Sequence, residues 1–388
     1  MRPMRIVVIG LSLSSSWGNG HATTYRALLR ALTRRGHDVC FLERDQPWYA
    51  DHRDLPCPDF CALHFYRDLR DLERHRLALA TADAVIIGSY VANGVAIGEW
   101  VQSLRKGITA FYDIDTPVTL AKLEEGDYEY LSPAIIPGYD PYLSFTGGSV
   151  LRVLERRHGA PAARVLYCTV DEALYPPLQL TPHFDLGYLG TYSSDRQPAL
   201  ERLLLEPARQ APELRFVVAG AQFPDGLDWP ANVTRLAHVA PHDHPEFYAR
   251  CRFALNVTRV SMVRAGFSPS VRLFEAAACA SPIISDHWPG LETLFRPGEE
   301  ILLADSTIDM LRLLRRMTDR ERRAIAEAAR ERILAAHSSQ HRARELEGYL
   351  LEAMERRKEG ARIVRVASAP QPREERQPQT KIAAGMSG

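Results

Sequence analysis

Short β-branched runs alternate with helical patterns along almost the whole chain, and the alternation starts afresh after a proline-bearing stretch at 171–184. The first series opens on "RIVVIG" (5–10), a glycine-ended apolar run of the kind a buried parallel strand needs. "HATTYRALLRALTRRGH" follows with apolar residues at helical spacing and a stop at Gly36. "DVCFLER", "ADAVIIGSY" (82–90) and "ITAFYDID" (108–115) supply further strands, with a helix near "GEWVQSLRKG". A Pro-, Gly- and Tyr-rich run, 116–149, reads as irregular backbone, and "SVLRVLERRHGA" and "RVLYCTV" as helix and strand. After residue 184, "DLGYLGTYSSDRQPALERLLLEPAR", "LRFVVAGAQFP", "NVTRLAHVAPHDHPEFYARC", "FALNVTR" and "SPIISDH" repeat the rhythm. Parallel strands need crossover connections, so each series predicts a doubly wound sheet. The expected fold is α/β, with two Rossmann-like domains facing across a cleft, 1–175 and 176–335. A charged helical segment follows to 358, and 359–388 reads as a disordered tail.

The 388 residues suit two domains, and the 46% hydrophobic content suffices for two cores. Lys+Arg and Asp+Glu both total 48, which gives no case for nucleic acid or an anionic membrane as partner. No stretch is apolar for long enough to predict a transmembrane helix. The basic start "MRPMR" before an apolar run imitates a signal peptide, but a first buried strand explains it better, and the expected location is cytoplasmic. Cysteines 40, 57, 61, 168, 251 and 279 lack the paired spacing of a zinc site and read as reduced thiols.

In open α/β sheets, ligands sit at the carboxyl ends of strands. The first such loop holds Gly18, Asn19 and Gly20, which permit close backbone approach before a helix start whose amides attract anions. With Glu43 further on it imitates a dinucleotide fingerprint, but Thr23 stands at the third glycine and seven residues separate Gly10 from Gly18. His21 can contact a ligand or cap the helix. Asp113 and Asp115 alternate along "YDID" and share one face, as candidates for a base, for hydroxyl binding or for an Asx-turn before Pro117. In the second half, Gly190, Thr191, Tyr192 and Arg196 follow a strand, and a guanidinium among small residues suits a diphosphate. In "SPSVRLFEAAACASPIIS", Ser268 is expected as N-cap with Pro269 at the first helical position. Ser268, Arg272 and Glu275 then lie on one stripe, and Val271, Phe274 and Ala278 on a core stripe beside it.

The segment "PSVRLFEAAACASPIISDHWPGLETLFRPGEEILL" resembles the donor site of GT-B glycosyltransferases, GT4-like, closest to the CgeB-related subgroup. "RIVVIG…GNGHATTYRALLRALTRRGHDV" is similar to that family's first strand, glycine loop and helix, and "LGTYSSDRQP" to its diphosphate loop; the likeness runs in order from about 4 to 350. The resemblance implies transfer of a sugar, UDP- or another NDP-hexose, to a small-molecule or glycan acceptor. It implies no tightly bound cofactor, the nucleotide-sugar entering as donor substrate, and no metal. By the same resemblance, domain 1–175 takes the acceptor and 176–335 the donor, and 336–358 packs back on the first domain. Glu275 matches the acid that holds the ribose hydroxyls and Arg196 the basic residue of the diphosphate loop. Gly220, Gln222, His238 and Val239 match the base-binding backbone. The family's second acid, eight residues before the ribose acid, is replaced here by Phe267, which leaves retention or inversion open; Ser268, Ser270 and Arg259 are candidates to compensate. Asp113, Asp115 and His21 are the catalytic candidates on the acceptor side. A homodimer stays open. The alternatives are a nucleotide-sugar 2-epimerase on the same fold and a non-catalytic spore or envelope assembly protein.

Overall fold

The computed structural model describes residues 2–18, 20–104 and 107–367, the last seven as backbone only. Thirteen strands form two wholly parallel sheets among the described residues. The first has seven: β1 Arg5–Gly10, β2 Asp38–Arg44, β3 Ala62–Tyr66, β4 Ala84–Gly88, β5 Ile108–Asp113, β6 Tyr142–Ser144 and β7 Ala163–Val165, in the order 3-2-1-4-5-6-7. The second has six: β8 Phe184–Leu189, β9 Phe216–Ala219, β10 Val233–Leu236, β11 Cys251–Asn256, β12 Ile283–Ser285 and β13 Leu302–Leu303, in the order 10-9-8-11-12-13.

Both orders reverse beside the first strand of the sheet, at β1/β4 and β8/β11, and so open a crevice at the carboxyl edge. β1 shows why it occupies the centre. Ile6 and Val8 face one buried layer and Val7 and Ile9 the opposite one, as the two-residue period of a strand requires. A continuous β-branched run is therefore consistent only with a strand covered on both faces.

The helix Ser339–Ala367 returns to the first domain, where Ala343, Leu346, Leu350 and Ala353 join the core cluster that holds Ile6, Val8 and Leu28. Buried Glu347 on this helix accepts from Arg35 Nε and Nη2 at 2.6 and 2.5 Å and lies 2.6 Å from His37 Nε2. Tyr349 donates to the Val165 carbonyl at 3.0 Å. The helix continues past Lys358, so the tail expected from 359 begins no earlier than 368; residues 368–388 lie outside the described residues.

Several elements were not legible as such, or not with these bounds. β3, "ALHFY", is a half-exposed edge strand without a strong apolar run. The supposedly irregular 116–149 contains the helix Thr116–Glu125 and the short buried strand β6. The helix of the donor-like segment spans Val271–Ala278 with Ser270, not Ser268, at its N-cap. Gly266 and Phe267 turn through positive φ (+66° and +48°), which delays the helix start by two residues.

Candidate active site between the two sheets

A cavity of about 440 Å³ opens between the carboxyl edges of the sheets. From the first domain it is lined by Ser16, Gly18, Gly20, His21, Tyr90 and Asp115, among others. From the second come Gly190, Thr191, Arg196, Gly220, His238, Val239, Arg259, Ser270, Arg272 and Glu275.

On the first side, the loop after β1 is shaped from beneath. Glu43, fully buried at the end of β2, accepts from the Leu13 and Ser14 amides at 2.6 and 2.8 Å and from the Ser14 hydroxyl at 2.7 Å. It thus holds the loop and does not line the cavity. Gly20 is the N-cap of His21–Arg34, which makes His21 the first helical residue and not the cap. The His21 ring sits edge-on to Tyr90 at 5.5 Å, and its buried Nδ1 has no hydrogen-bond partner. Burial lowers its pKa to about 4, so it is neutral at pH 7, a weak base whose unpartnered nitrogen is open to a hydrogen bond.

The two acids of "YDID" part company. Asp113 is completely buried beneath the cavity: its Oδ2 accepts from Tyr142 at 2.6 Å, and its Oδ1 from Thr119 at 2.7 Å and from the Asp115 amide at 3.2 Å. The last bond is the Asx-turn, so the turn belongs to Asp113. Burial raises its pKa to about 6 against those hydrogen bonds. Asp115 lines the cavity, its Oδ2 accepting from Tyr90 at 2.9 Å and from Arg259 at 3.4 Å, while buried Oδ1 has no partner. Burial moves Asp115 above the ordinary range too, opposed by Arg259 and Tyr90.

The second side is cationic. Arg259 pairs across the cleft with Asp115 and within its own domain with Asp195, each at 3.4 Å. Arg196 donates to the Tyr188 hydroxyl at 3.2 Å and keeps a buried Nε without a partner. Arg272 lies over the Tyr188 ring, 4.7 Å from its centroid, donating to the Leu189 carbonyl and, at 3.0 Å, to Asn256 Oδ1. Burial alone raises a phenol, yet Tyr188 titrates below its ordinary value because Arg196 and Arg272 outweigh it. Gly190 leaves the room that this guanidinium occupies: a Cβ there would meet Arg272 and the Tyr188 hydroxyl.

Arg272 and Glu275, three residues apart, do not pair. Glu275 is bonded by Tyr248 at 3.1 Å and Tyr175 at 3.3 Å, with His244 Nδ1 at 3.4 Å. Burial pushes its carboxyl up, but His244, Tyr248 and Arg272 more than offset this, and it stays ionised at pH 7. Val271, expected on the core stripe, packs against the core and also lines the cavity.

Four candidates stand apart from the lining. Asp113 is beneath it. Ser268 is fully buried, its hydroxyl 2.9 Å from that of Thr146 in the first domain. The Tyr192 ring packs on Phe223, and Gln222 turns at φ +69° near Gly18. Asn19 lies outside the described residues. Ser270 lines the cavity, although its hydroxyl donates to Asn256 at 2.7 Å. Phe267 does not approach the cavity as an acid would. Its amide donates to the Pro289 carbonyl at 2.6 Å and its carbonyl accepts from Gly147 at 2.9 Å, so this loop joins the two domains.

Residues 196–348 match the family described as glycosyl transferase-like. The sucrose-phosphate synthase of Thermosynechococcus elongatus is similar in structure, with a TM-score of 0.62 and 15% identity over 94% of this chain and 100% of that one. Anabaena HepE in complex with UDP-glucose gives 0.65 and 12%, covering 90% of this chain and 100% of that one. An alpha-glucosyltransferase in complex with UDP-glucose and DNA gives 0.67 and 14%, again over 90% and 100%. The fold is GT-B. A sequence comparison with curated proteins finds no match. Among the described residues of this GT-B chain, no helix is long and apolar enough to cross a membrane, and no three His, Cys, Asp or Glu side chains are grouped to hold a metal ion.

Sequence reasoning missed Tyr90, Tyr175, His244, Tyr248 and Asn256. Tyr90 was within reach of the strand-end rule, since it follows β4 by two residues. Asn256 was too, as the last residue of β11; the other three reach the site through tertiary contacts and carry no local signal.

Proposed function

We propose that the protein transfers a sugar from a nucleotide-sugar, UDP-glucose or another NDP-hexose, to an acceptor hydroxyl. One observation carries this reading. Buried, unpartnered polar atoms of His21 and Asp115 face three guanidiniums and an ionised glutamate across a single cavity. Cations suit the diphosphate of the donor, Glu275 suits the ribose hydroxyls, and the unpartnered His21 and Asp115 atoms opposite suit an acceptor hydroxyl. UDP-glucose is favoured because similar structures were solved with it. Kinship with the CgeB-related subgroup belongs to this reading through the "SPSVRLFEAAA" segment. The donor would bind 176–335 and the acceptor 1–175, in a cytoplasmic enzyme.

In the proposed reaction Arg196, Arg259 and Arg272 take up the negative charge that develops as the anomeric carbon–oxygen bond breaks. The acceptor oxygen attacks that carbon and loses its proton. By the resemblance to GT4-like enzymes we assign retention, although Phe267 replaces the family acid, and give the proton to the departing phosphate. Asp115 and His21 orient the acceptor. The charge on the leaving group is met by side chains, so transfer is expected to proceed in the presence of a chelator.

The test is a thermal-shift panel of UDP, GDP and dTDP with their sugars, followed by mass spectrometry with the stabilising donor and a glycan library. Stabilisation by one nucleotide and appearance of a glycosylated product are expected. Donor consumed to a C2 epimer with nothing glycosylated overturns the reading in favour of the epimerase. No stabilisation by any nucleotide favours a non-catalytic scaffold.

A further inference from the structure

The interdomain connection does more than join the two sheets, because its side chains reach three separate elements within five residues. Asp171 pairs with Arg30 and Arg34 of the helix His21–Arg34, both at 3.2 Å. Glu172 accepts from the Ser339 amide at 3.2 Å and hydroxyl at 2.9 Å, at the start of the helix that returns to the first domain. Tyr175, 3% exposed, ends this run behind the cavity lining, where its hydroxyl donates to Glu275 Oε1 at 3.3 Å and accepts from the Thr23 side chain. Thr23 and Glu275 both line the cavity, from opposite domains.

A carboxylate offers about four lone-pair positions. On Glu275, Tyr175 and His244 approach Oε1, and Tyr248 holds Oε2. His244 Nε2 is in turn 3.3 Å from the Val239 carbonyl. The three partners fix the carboxylate plane and leave an accepting position toward the cavity. Two of the three, Tyr248 and His244, belong to the same domain as Glu275. Tyr175 comes from the connection and is itself held by groups that report where the first domain and the returning helix stand.

We infer that Tyr175 is a positioning residue for the donor: it orients Glu275 toward the ribose diol and makes the interdomain connection part of the nucleotide site. This rests on the assignment of Glu275 to the ribose under Proposed function. Donor affinity then depends on the placement of the connection, since a shift of Tyr175 rotates the carboxylate that receives the hydroxyls.

The measurement is isothermal titration of wild type and Tyr175→Phe with whichever of UDP, GDP or ADP binds wild type most tightly, and with the 2′,3′-dideoxy form of that nucleotide. Phenylalanine keeps the buried ring and removes only the hydroxyl. Tyr175→Phe is expected to weaken the ribonucleotide about five- to tenfold while leaving the affinity for the dideoxy form unchanged. Tyr248→Phe, which removes the bond to the other carboxylate oxygen, is expected to show the same selectivity. Equal loss for both nucleotides in Tyr175→Phe indicates a structural role and overturns the proposal, as does no loss for either. A wild type that does not distinguish ribo from dideoxy, or binds none of the three, overturns the assignment of Glu275 itself and the proposal with it.

Discussion

The residues of "YDID" show how one step along a strand separates two chemistries. Asp113 points down into Tyr142 and Thr119, whereas Asp115, past the end of β5, meets the cavity. Asp115→Asn is expected to lower transfer about a hundredfold by misplacing the acceptor, with nucleotide affinity near wild type; unchanged turnover in a product assay removes it from the acceptor side. Asp113 has a different signature. Its folded pKa, raised from 3.8 to about 6 by burial, means the native state holds this proton more tightly than the unfolded chain. Its contribution to stability is therefore full below about 4 and is lost as pH rises through about 6, a change of about 3 kcal/mol. Asp113→Asn is expected to remove that loss, so urea denaturation should show the variant gaining on wild type between pH 4 and 7. A difference independent of pH contradicts the burial of an ionisable Asp113. Sequence spacing put both acids on one face; only the end of the strand, where the backbone turns, separated them.

Among the elements, the returning helix Ser339–Ala367 shows how much an ion pair depends on burial. Its helical character was readable from the sequence, but the partner of Glu347 was not, because Arg35 and His37 lie more than three hundred residues away. Burial raises the Glu347 carboxyl, and Arg35 and His37 more than offset it, so its pKa is lowered. Its stabilisation is thus present at neutral pH and lost as pH falls through that lowered value. Glu347→Ala leaves His37 buried without its partner and is expected to destabilise the protein by about 3 kcal/mol in chemical denaturation. A change below about 0.5 kcal/mol would show the pair behaving as an exposed one. The donor-side helix makes the complementary point. Its alanines made the core face legible, yet its start moved from Ser268 to Ser270 because Phe267 is held in left-handed backbone by its neighbours.

At the scale of the molecule, Phe267 is where the two domains meet. Its ring lies against Gly148, φ +64°, from the first domain and Gly290, φ +93°, from the second; a Cβ at either would come within 2.5 Å of the ring. The Thr146–Ser268 hydroxyl contact and the Gly147–Phe267 backbone bond lie alongside. Gly148→Ala therefore adds backbone strain and displaces the ring from the interface. The variant is expected to close less fully in small-angle scattering with donor present and to turn over more slowly. Nucleotide affinity should change little, since the guanidiniums are held within the second domain. Scattering and turnover identical to wild type would show that closure does not depend on this contact.

The sequence by itself determined the two sheets, the cleft and the edge at which ligands collect. Periodicity and strand–helix alternation are local properties, and right-handed crossovers leave few ways to assemble them. It also indicated most of the second-domain lining, since the loop after β8 and the helix after β11 follow strand ends in order. Only the tertiary structure decided which polar side chains remain free to meet a ligand. Asp113, Ser268 and Glu43 were as eligible by type and position as Asp115 and Glu275, but their hydrogen-bonding capacity is taken up inside the protein. Tyr175, Tyr248 and His244 enter because two distant segments, the interdomain connection and the helix His244–Ala249, converge on the carboxylate of Glu275. A buried polar group must be satisfied by whatever folds against it, and that partner is set by packing between domains, which no local pattern records.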